Sequence, residues 1–301
     1  NLIMTEALTS EIDARSSELA RIVEETRRYR GYTRNSLAFG LREIIAALPI
    51  YRTYITGPGD VSERDLHYIE NAVKMAKARN PLTPAGLFDF LQQTLLMRNL
   101  TEFSEQQRPA VREFVLKFQQ ITGPVMAKSL EDTAFYIYNR LTSLNEVGSH
   151  PTQFGITPSA FHEHNVANHF PHSMLGTSTH DTKRSEDTRA RINVLSEMPQ
   201  RWAQALQRWA QTNGVHKLEV DGELAPSRND EYLLYQTVLG TFEQGFVDDD
   251  DVTGTPERYA ERLKGYMRKA VNEAKVHSNW INQNEAYHDA VAHFIDKILA
   301  D

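Results

Sequence analysis

Apolar positions recur along this chain mostly at helical spacing. Leu8, Ile12, Leu19, Ile22 and Val23 fall on one face of a first helix. A second spans Ser62 to Arg79, with Leu66, Ile69, Val73 and Met75-Ala76 inward. Ser62 and Asp65 open it like a capping box with Asp in place of Glu. Thr83-Pro84 sets a cap before a first-turn proline, and Leu87, Phe88, Leu91 and Leu95 follow. Val111, Phe114, Val115 and Phe118 make an i, i+3, i+4, i+7 stripe. Trp202, Ala205, Leu206 and Trp209 repeat it, as do Tyr235, Val238, Leu239 and Phe242. Thr255-Pro256 starts a further helix carried by Tyr259, Leu263, Met267, Ala270 and Ala274, and Tyr287, Val291, Phe294, Ile295 and Ile298 predict the last.

Period-two alternation is scarce. Ile50 to Ile55 alternates up to the turn Gly57-Pro58-Gly59. A short strand within Phe170–Ser178, and another over Lys217–Val220 closing at Asp221-Gly222, complete the extended set. The expectation is a mainly α body around a few isolated strands. Such strands carry unpaired backbone groups, and an unpaired edge is costly unless covered. Leu144–Pro158 and Glu243–Pro256 read as loops.

Composition narrows the field. At 301 residues and 40% hydrophobic the chain can bury a sizeable core. A formal charge of -7 and the lack of a basic block give a nucleic-acid partner no electrostatic support. There are no cysteines, which excludes disulfides and thiolate chemistry and fits a cytoplasmic protein. No apolar run reaches the roughly 18 residues of a membrane span. The start, Asn1-Leu2-Ile3-Met4, lacks the pattern of a secretory signal and does not open on Met, as expected of a processed product or an excised piece.

Three constellations bear on chemistry. His162, His164, His169, His172 and His180 are five of the eleven histidines. Their spacing favours structural or solvated roles over a metal site, and no HExxH pattern is present. The run Asp248 to Asp251 lacks the sixth-position glycine of a calcium loop, since Thr253 stands there, and reads as solvated. The third joins Ile121–Tyr136, with Lys128, Glu131 and Asp132, to Ser178-Thr179-His180-Asp181-Thr182-Lys183-Arg184. Lys128 and Asp132, at i, i+4, suit either a helical ion pair or a sugar-binding role.

These last segments resemble the maltooligosyltrehalose synthases, a family of the α-amylase superfamily. The resemblance rests on Pro49–Tyr54, Gly123–Tyr136, Ser143–Gly148 and Thr177–Arg191. It continues through Arg268-Lys269-Ala270, Glu273-Ala274-Lys275 and Trp280, and so over nearly the whole chain. It implies a (β/α)8 barrel with helical insertions and an isomerase reaction without a cofactor. That reaction turns the reducing-end α-1,4 link of a maltooligosaccharide into an α,α-1,1 link. It implies three active-site carboxyls, of which only the one following a conserved His is matched here, at His180-Asp181. Asp181 would be the catalytic transition-state stabiliser, and His180, Lys128 and Lys183 would bind substrate.

The regions that would carry the nucleophile and the acid/base are not found. The chain therefore reads as an internal or C-terminal piece of a longer enzyme, inactive alone, whose partner is the remainder of the barrel. Its expected divisions are a helical insertion region with one short strand (1–122), a partial barrel segment with the His-Asp motif (123–191) and a second helical region (192–301). Two other readings compete: a maltooligosaccharide-binding or scaffolding module, and an ordinary α-amylase-type hydrolase that shares the His-Asp region but not the Lys128 motif.

Overall fold

A computed structural model of the chain describes residues 1–167, 171–242 and 256–300. His169, Phe170, Asp248–Asp251 and Thr255 lie outside the described residues. The chain divides into two compact units, Asn1–Leu130 and Glu131–Asp301.

The first unit is helical. It comprises α1 (Leu2–Glu6), α2 (Thr9–Glu24), α3 (Arg34–Ile45), α4 (Glu63–Arg79), α5 (Ala85–Leu95) and α6 (Arg108–Met126). The apolar stripes meet as their spacing requires. Ile12, Leu19, Leu41, Ile44, Ile69, Phe88, Phe114 and Phe118 share one core and are almost fully buried. Burying each such side chain contributes about 1.5–3 kcal/mol. Gly40 of α3 lets α5 approach closely, because a Cβ there would stand 2.5 Å from Leu91 Cδ1.

Helix starts follow local chemistry. Ser62 Oγ accepts the Asp65 N–H at 3.0 Å and caps α4. The other half of the expected capping box is not made: Asp65 instead accepts the Tyr54 N–H at 2.9 Å. Thr83 is not a cap either, since Pro84 occupies that position without a side-chain bond and α5 begins at Ala85. Met75 points outward, 43% exposed.

Ile50–Ile55 forms no strand: the chain bends at Ile50 and Tyr51 and is irregular from Arg52 on. Its alternation is real, with Thr53 and Ile55 buried and Tyr54 exposed. No strand lies beside it among the described residues of this unit, so side chains satisfy its backbone instead. Gln119 Oε1 accepts the Ile55 N–H at 2.7 Å, and its Nε2 donates to the Ile55 carbonyl at 2.9 Å.

Pro124 removes one N–H from the last turns of α6. The helix then widens into a π-helical stretch, Ala127–Ala134, within which the chain passes from one unit to the next. Wide turns of this kind are rare and tend to mark functional segments.

The second unit contains α7 (Phe135–Ile137), α8 (Pro158–Ala167), α9 (Glu186–Asn193), α10 (Pro199–Asn213), β1 (Leu218–Val220), β2 (Glu223–Ala225), α11 (Arg228–Thr241), α12 (Pro256–Ala274) and α13 (Glu285–Ala300). Its core joins α11, α12 and α13 through Leu233, Leu234, Met267, Val271, Phe294 and Ile295. The β1–β2 pair is an antiparallel hairpin in which Leu218 faces Ala225. Asp221 and Gly222 both take positive φ at its turn, the arrangement a tight hairpin demands.

Two expectations change here. Residues 171–178 are exposed and irregular, without a strand. The stripes of α10 and α11 are only partly covered: Trp209, Leu239 and Phe242 stay 38%, 38% and 47% exposed, and α10 has no buried residue. The architecture is thus mainly α, and the described strands are the two of this hairpin. No helix of the described residues is long and apolar enough to cross a membrane.

Candidate functional site

His180 and Asp181 occupy the two central positions of a tight turn, Thr179–Thr182, in the second unit. The Thr182 N–H reaches the Thr179 carbonyl at 3.3 Å. Thr182 Oγ1 also donates to that carbonyl at 2.7 Å and accepts the Thr179 N–H. Threonine hydroxyls stabilise such turns by replacing backbone partners. Both central side chains point outward. His180 and Asp181 are exposed, and among the described residues neither side chain has a hydrogen-bond or ion-pair partner.

The two ends of the turn are tied down. Upstream, Glu186 accepts from the Thr177 hydroxyl at 3.0 Å and from the Ser178 hydroxyl. The Ser178 bond, its own backbone N–H and the Thr177 bond hold the Glu186 carboxyl below the usual carboxylate range. Glu186 also stands in the first turn of α9, where negative charge suits the helix dipole. Downstream, Glu146 accepts the Lys183 N–H at 2.8 Å through Oε1 and the Arg184 N–H at 3.3 Å through Oε2.

The cations that follow are engaged rather than loose. Lys183 Nζ meets Asp132 Oδ1 at 2.8 Å, with only 9% of the lysine side chain exposed. The Arg184 fork donates to the Thr142 carbonyl at 3.2 Å and to the Tyr266 hydroxyl at 2.6 Å. Lys275, whose backbone takes a positive φ of 57°, donates to Thr133 Oγ1 at 2.9 Å and to the Asp132 carbonyl at 3.3 Å. Burial pushes the Tyr136 phenol well above its usual range, against the opposing pull of Arg184. Buried amides complete the frame. Gln236 accepts the Thr142 N–H at 2.8 Å and donates to the Asn139 carbonyl at 2.7 Å, and Asn145 donates to the Phe135 and Tyr138 carbonyls, each at 2.8 Å.

The structure therefore brings His180, Asp181 and Lys183 together on one segment of the second unit. Lys128 belongs to the first unit, exposed on the π-helical stretch. His162, His164 and His172 are exposed, and among the described residues no group of three or more His, Asp or Glu side chains is placed to hold a metal ion. Two cavities of the second unit lie away from the turn. One of about 530 Å³ is lined by residues including Lys217, Glu231 and Tyr235, and one of about 260 Å³ by residues including Lys264, Arg268 and His288.

Sequence reasoning passes over Glu146 and Glu186 as functional residues. Glu146 stands inside the motif segment Ser143–Gly148, but a lone acid carries no periodic or spacing signal. Its role emerges only when residues 37 and 38 positions away fold onto it.

No family model matches the chain. A curated relative from Mycobacterium tuberculosis, a putative maltooligosyl trehalose synthase, is 39% identical over 194 residues. That match covers 64% of this chain and 22% of the relative. A solved structure from Sulfolobus tokodaii, a hypothetical maltooligosyl trehalose synthase, is 31% identical with a TM-score of 0.65, covering 97% of this chain and 34% of its own. The maltooligosyltrehalose synthase of Arthrobacter ramosus is 32% identical with a TM-score of 0.68, covering 96% and 31%. The resemblance carried by the motifs thus extends to sequence and fold together: the chain is a relative of the maltooligosyl trehalose synthases, spanning about a fifth of the curated relative and about a third of the solved ones.

Proposed function

We propose that this chain is part of a longer enzyme that isomerises maltooligosaccharides, converting the reducing-end α-1,4 link into an α,α-1,1 link. One observation carries the reading: an anionic side chain, Asp181, stands outward on a turn held at both ends, next to an equally outward His180. A solvated surface acid needs no such scaffolding. In this reading the few extended segments of the chain contribute to a (β/α)8 barrel completed elsewhere in the polypeptide.

Breaking a glycosidic bond builds positive charge on the anomeric carbon and ring oxygen. A retaining enzyme meets it with a carboxylate nucleophile and a carboxylic acid that protonates the leaving oxygen. Both are proposed to lie outside this chain, which is inactive alone. Asp181 supplies a third carboxylate that binds sugar hydroxyls and favours the distorted, charged ring over the relaxed one. His180 donates to a hydroxyl of the same ring. Lys183 acts at the edge of the substrate site, its ammonium shared with Asp132. Lys128 is assigned on its motif alone to hold the released glucose through its hydroxyls.

The test is Asp181→Asn in the full-length enzyme that carries this segment. Turnover of maltopentaose to its trehalose isomer is expected to fall by about 10²–10³-fold, the scale of losing one preorganised electrostatic group. Wild-type turnover would remove Asp181 from the mechanism. Calorimetry of the 301-residue chain with maltopentaose, beside the same assay, separates the readings. Isomerisation by this chain alone would overturn the claim that it is incomplete.

A further inference from the structure

The carboxylate of Glu146 is the meeting point of four donors. Oε1 accepts the Lys183 N–H at 2.8 Å and the Val147 N–H at 2.9 Å. Oε2 accepts the Arg184 N–H at 3.3 Å and lies 3.4 Å from the Arg189 guanidinium. The backbone of Glu146 is itself fixed, because its N–H donates to Ser149 Oγ at 3.1 Å and Ser149 Oγ donates back to the Leu144 carbonyl. The Lys183 and Arg184 bonds are tertiary. They tie the peptide groups directly after the His180-Asp181 turn to a different loop, and hydrogen bonds to an ionised acceptor are roughly twice as strong as neutral ones.

We propose that Glu146 is the positioning residue for Asp181. By holding two consecutive N–H groups with its two oxygens, it sets the direction in which the chain leaves the turn. That fixes the plane of the peptide at Lys183 and, through Thr182, the orientation of the Asp181 carboxylate. The proposal rests on the reading of Asp181 as the transition-state stabiliser. It deepens that reading by naming what aims the side chain, since among the described residues no direct partner of the Asp181 carboxylate does so.

The chemistry of the clamp requires a carboxylate. An amide in its place has one acceptor and one donor end. In either orientation the NH2 group would face donors, Arg184 N–H and Arg189 on one side or Lys183 N–H and Val147 N–H on the other. Glu146→Gln is therefore nearly isosteric and leaves the loop's packing intact, while it breaks one arm of the clamp. Glu146→Ala breaks both.

Two measurements on these variants decide the matter. In the 301-residue chain, amide hydrogen exchange at one of Lys183 and Arg184, the one left facing the NH2 group, should quicken at least about tenfold in Glu146→Gln and at both in Glu146→Ala, while the core amides of α12 and α13 keep wild-type protection. In the full-length enzyme, kcat should fall by about 10–10²-fold with KM nearly unchanged, since a misplacement of about 1 Å costs on that order. A merely structural role would instead lower protection throughout the unit and leave the kcat of the folded fraction alone. Unchanged exchange at both amides, or unchanged kcat beside a crippled Asp181→Asn, overturns the role of Glu146 and spares that of Asp181. Wild-type turnover in Asp181→Asn overturns the catalytic reading and this proposal with it. Should Glu146→Ala fail to fold, the glutamine variant still decides between these outcomes.

Discussion

Gln119 binds the backbone of Ile55 in both directions, accepting its N–H at 2.7 Å and donating to its carbonyl at 2.9 Å. One side-chain amide makes the pair of bonds that a neighbouring strand would make. Both residues are almost fully buried, Ile55 at 0% and Gln119 at 1% exposure. Water therefore cannot replace the amide if it is lost. Gln119→Leu keeps the volume and orphans two buried polar groups, at about 1–3 kcal/mol each. The first unit should lose roughly 2–6 kcal/mol, a large share of the 5–15 kcal/mol typical of a domain. Urea unfolding followed by circular dichroism reads this, and a loss under about 1 kcal/mol would mean the segment finds other partners.

That same pair shows what the sequence could and could not carry. The alternation at Ile50–Ile55 correctly marks which side chains turn inward, because alternation reports burial. It says nothing about the partner, and a lone amide 64 residues away has no pattern of its own. Helical stripes were legible where both sides of the contact are apolar, as with Phe114 and Phe118. The stripe of α10 was legible as a helix but not as a core, since Trp209 remains 38% exposed. The helix α3 is not among the elements predicted from the sequence, although it carries an equally plain stripe, Leu37, Leu41, Ile44 and Ile45, behind a Thr33 cap whose Oγ1 accepts the Ser36 N–H at 3.2 Å. At the candidate site, His180-Asp181 was visible as a motif. Glu146 is not, because its work is done on backbone N–H groups that every residue type but proline shares, and Glu186 is not, because the Thr177 and Ser178 hydroxyls it accepts from carry no spacing signal.

Gly240 governs how closely α9 packs on α11. A Cβ there would stand 2.9 Å from Thr188 Cγ2 and 3.1 Å from Ile192 Cδ1. Ile192 is fully buried and cannot swing away freely. Gly240→Ala should cost about 1–3 kcal/mol, the usual scale of overpacking, despite alanine's better helix propensity. The three tryptophans of the chain, Trp202, Trp209 and Trp280, all belong to the second unit, so their fluorescence reports its unfolding. A variant as stable as wild type would show that α9 shifts without cost. Since α9 begins just after the Asp181 turn, such a shift would also appear as changed exchange at Lys183 and Arg184.

Stability of the second unit should fall at both ends of the pH scale. On the acid side, burial first and the charge of Arg268 next push the His288 imidazole below its ordinary value of 6.5. Below that pH the unfolded chain binds a proton that the folded one refuses, so stability rises with pH there and is lost as pH falls through 6.5. On the alkaline side, burial is the main cause that raises the Tyr136, Tyr235 and Tyr287 phenols far above 10.0. As pH climbs through about 10 the unfolded chain releases protons first, and the stability present below that value drains away. Urea midpoints from tryptophan fluorescence between about pH 5 and about pH 11 should trace this dome. His288→Asn should flatten the acid arm above about pH 5, and an unchanged acid arm would assign it to other groups.

Lys128 offers the sharpest functional split. Isomerisation and hydrolysis share the glycosyl-enzyme intermediate of the proposed mechanism and differ only in the attacking oxygen. A retained glucose competes with solvent water, so it must be held at an effective concentration that free glucose never reaches. Effective molarities for oriented groups run to about 10⁵ M and beyond, enough for tethering to win. If the Lys128 ammonium is that tether, Lys128→Ala in the full-length enzyme should let the glucose escape before it turns. Total bond cleavage should then persist while the ratio of free glucose to trehalose product rises at least about tenfold, on the scale of losing one charge-assisted hydrogen bond. Quantifying both sugars from maltopentaose over one time course measures the ratio directly. An unchanged ratio would leave Lys128 without a role in retention, whereas an equal fall of both products would place it in the bond-breaking step shared by the two outcomes.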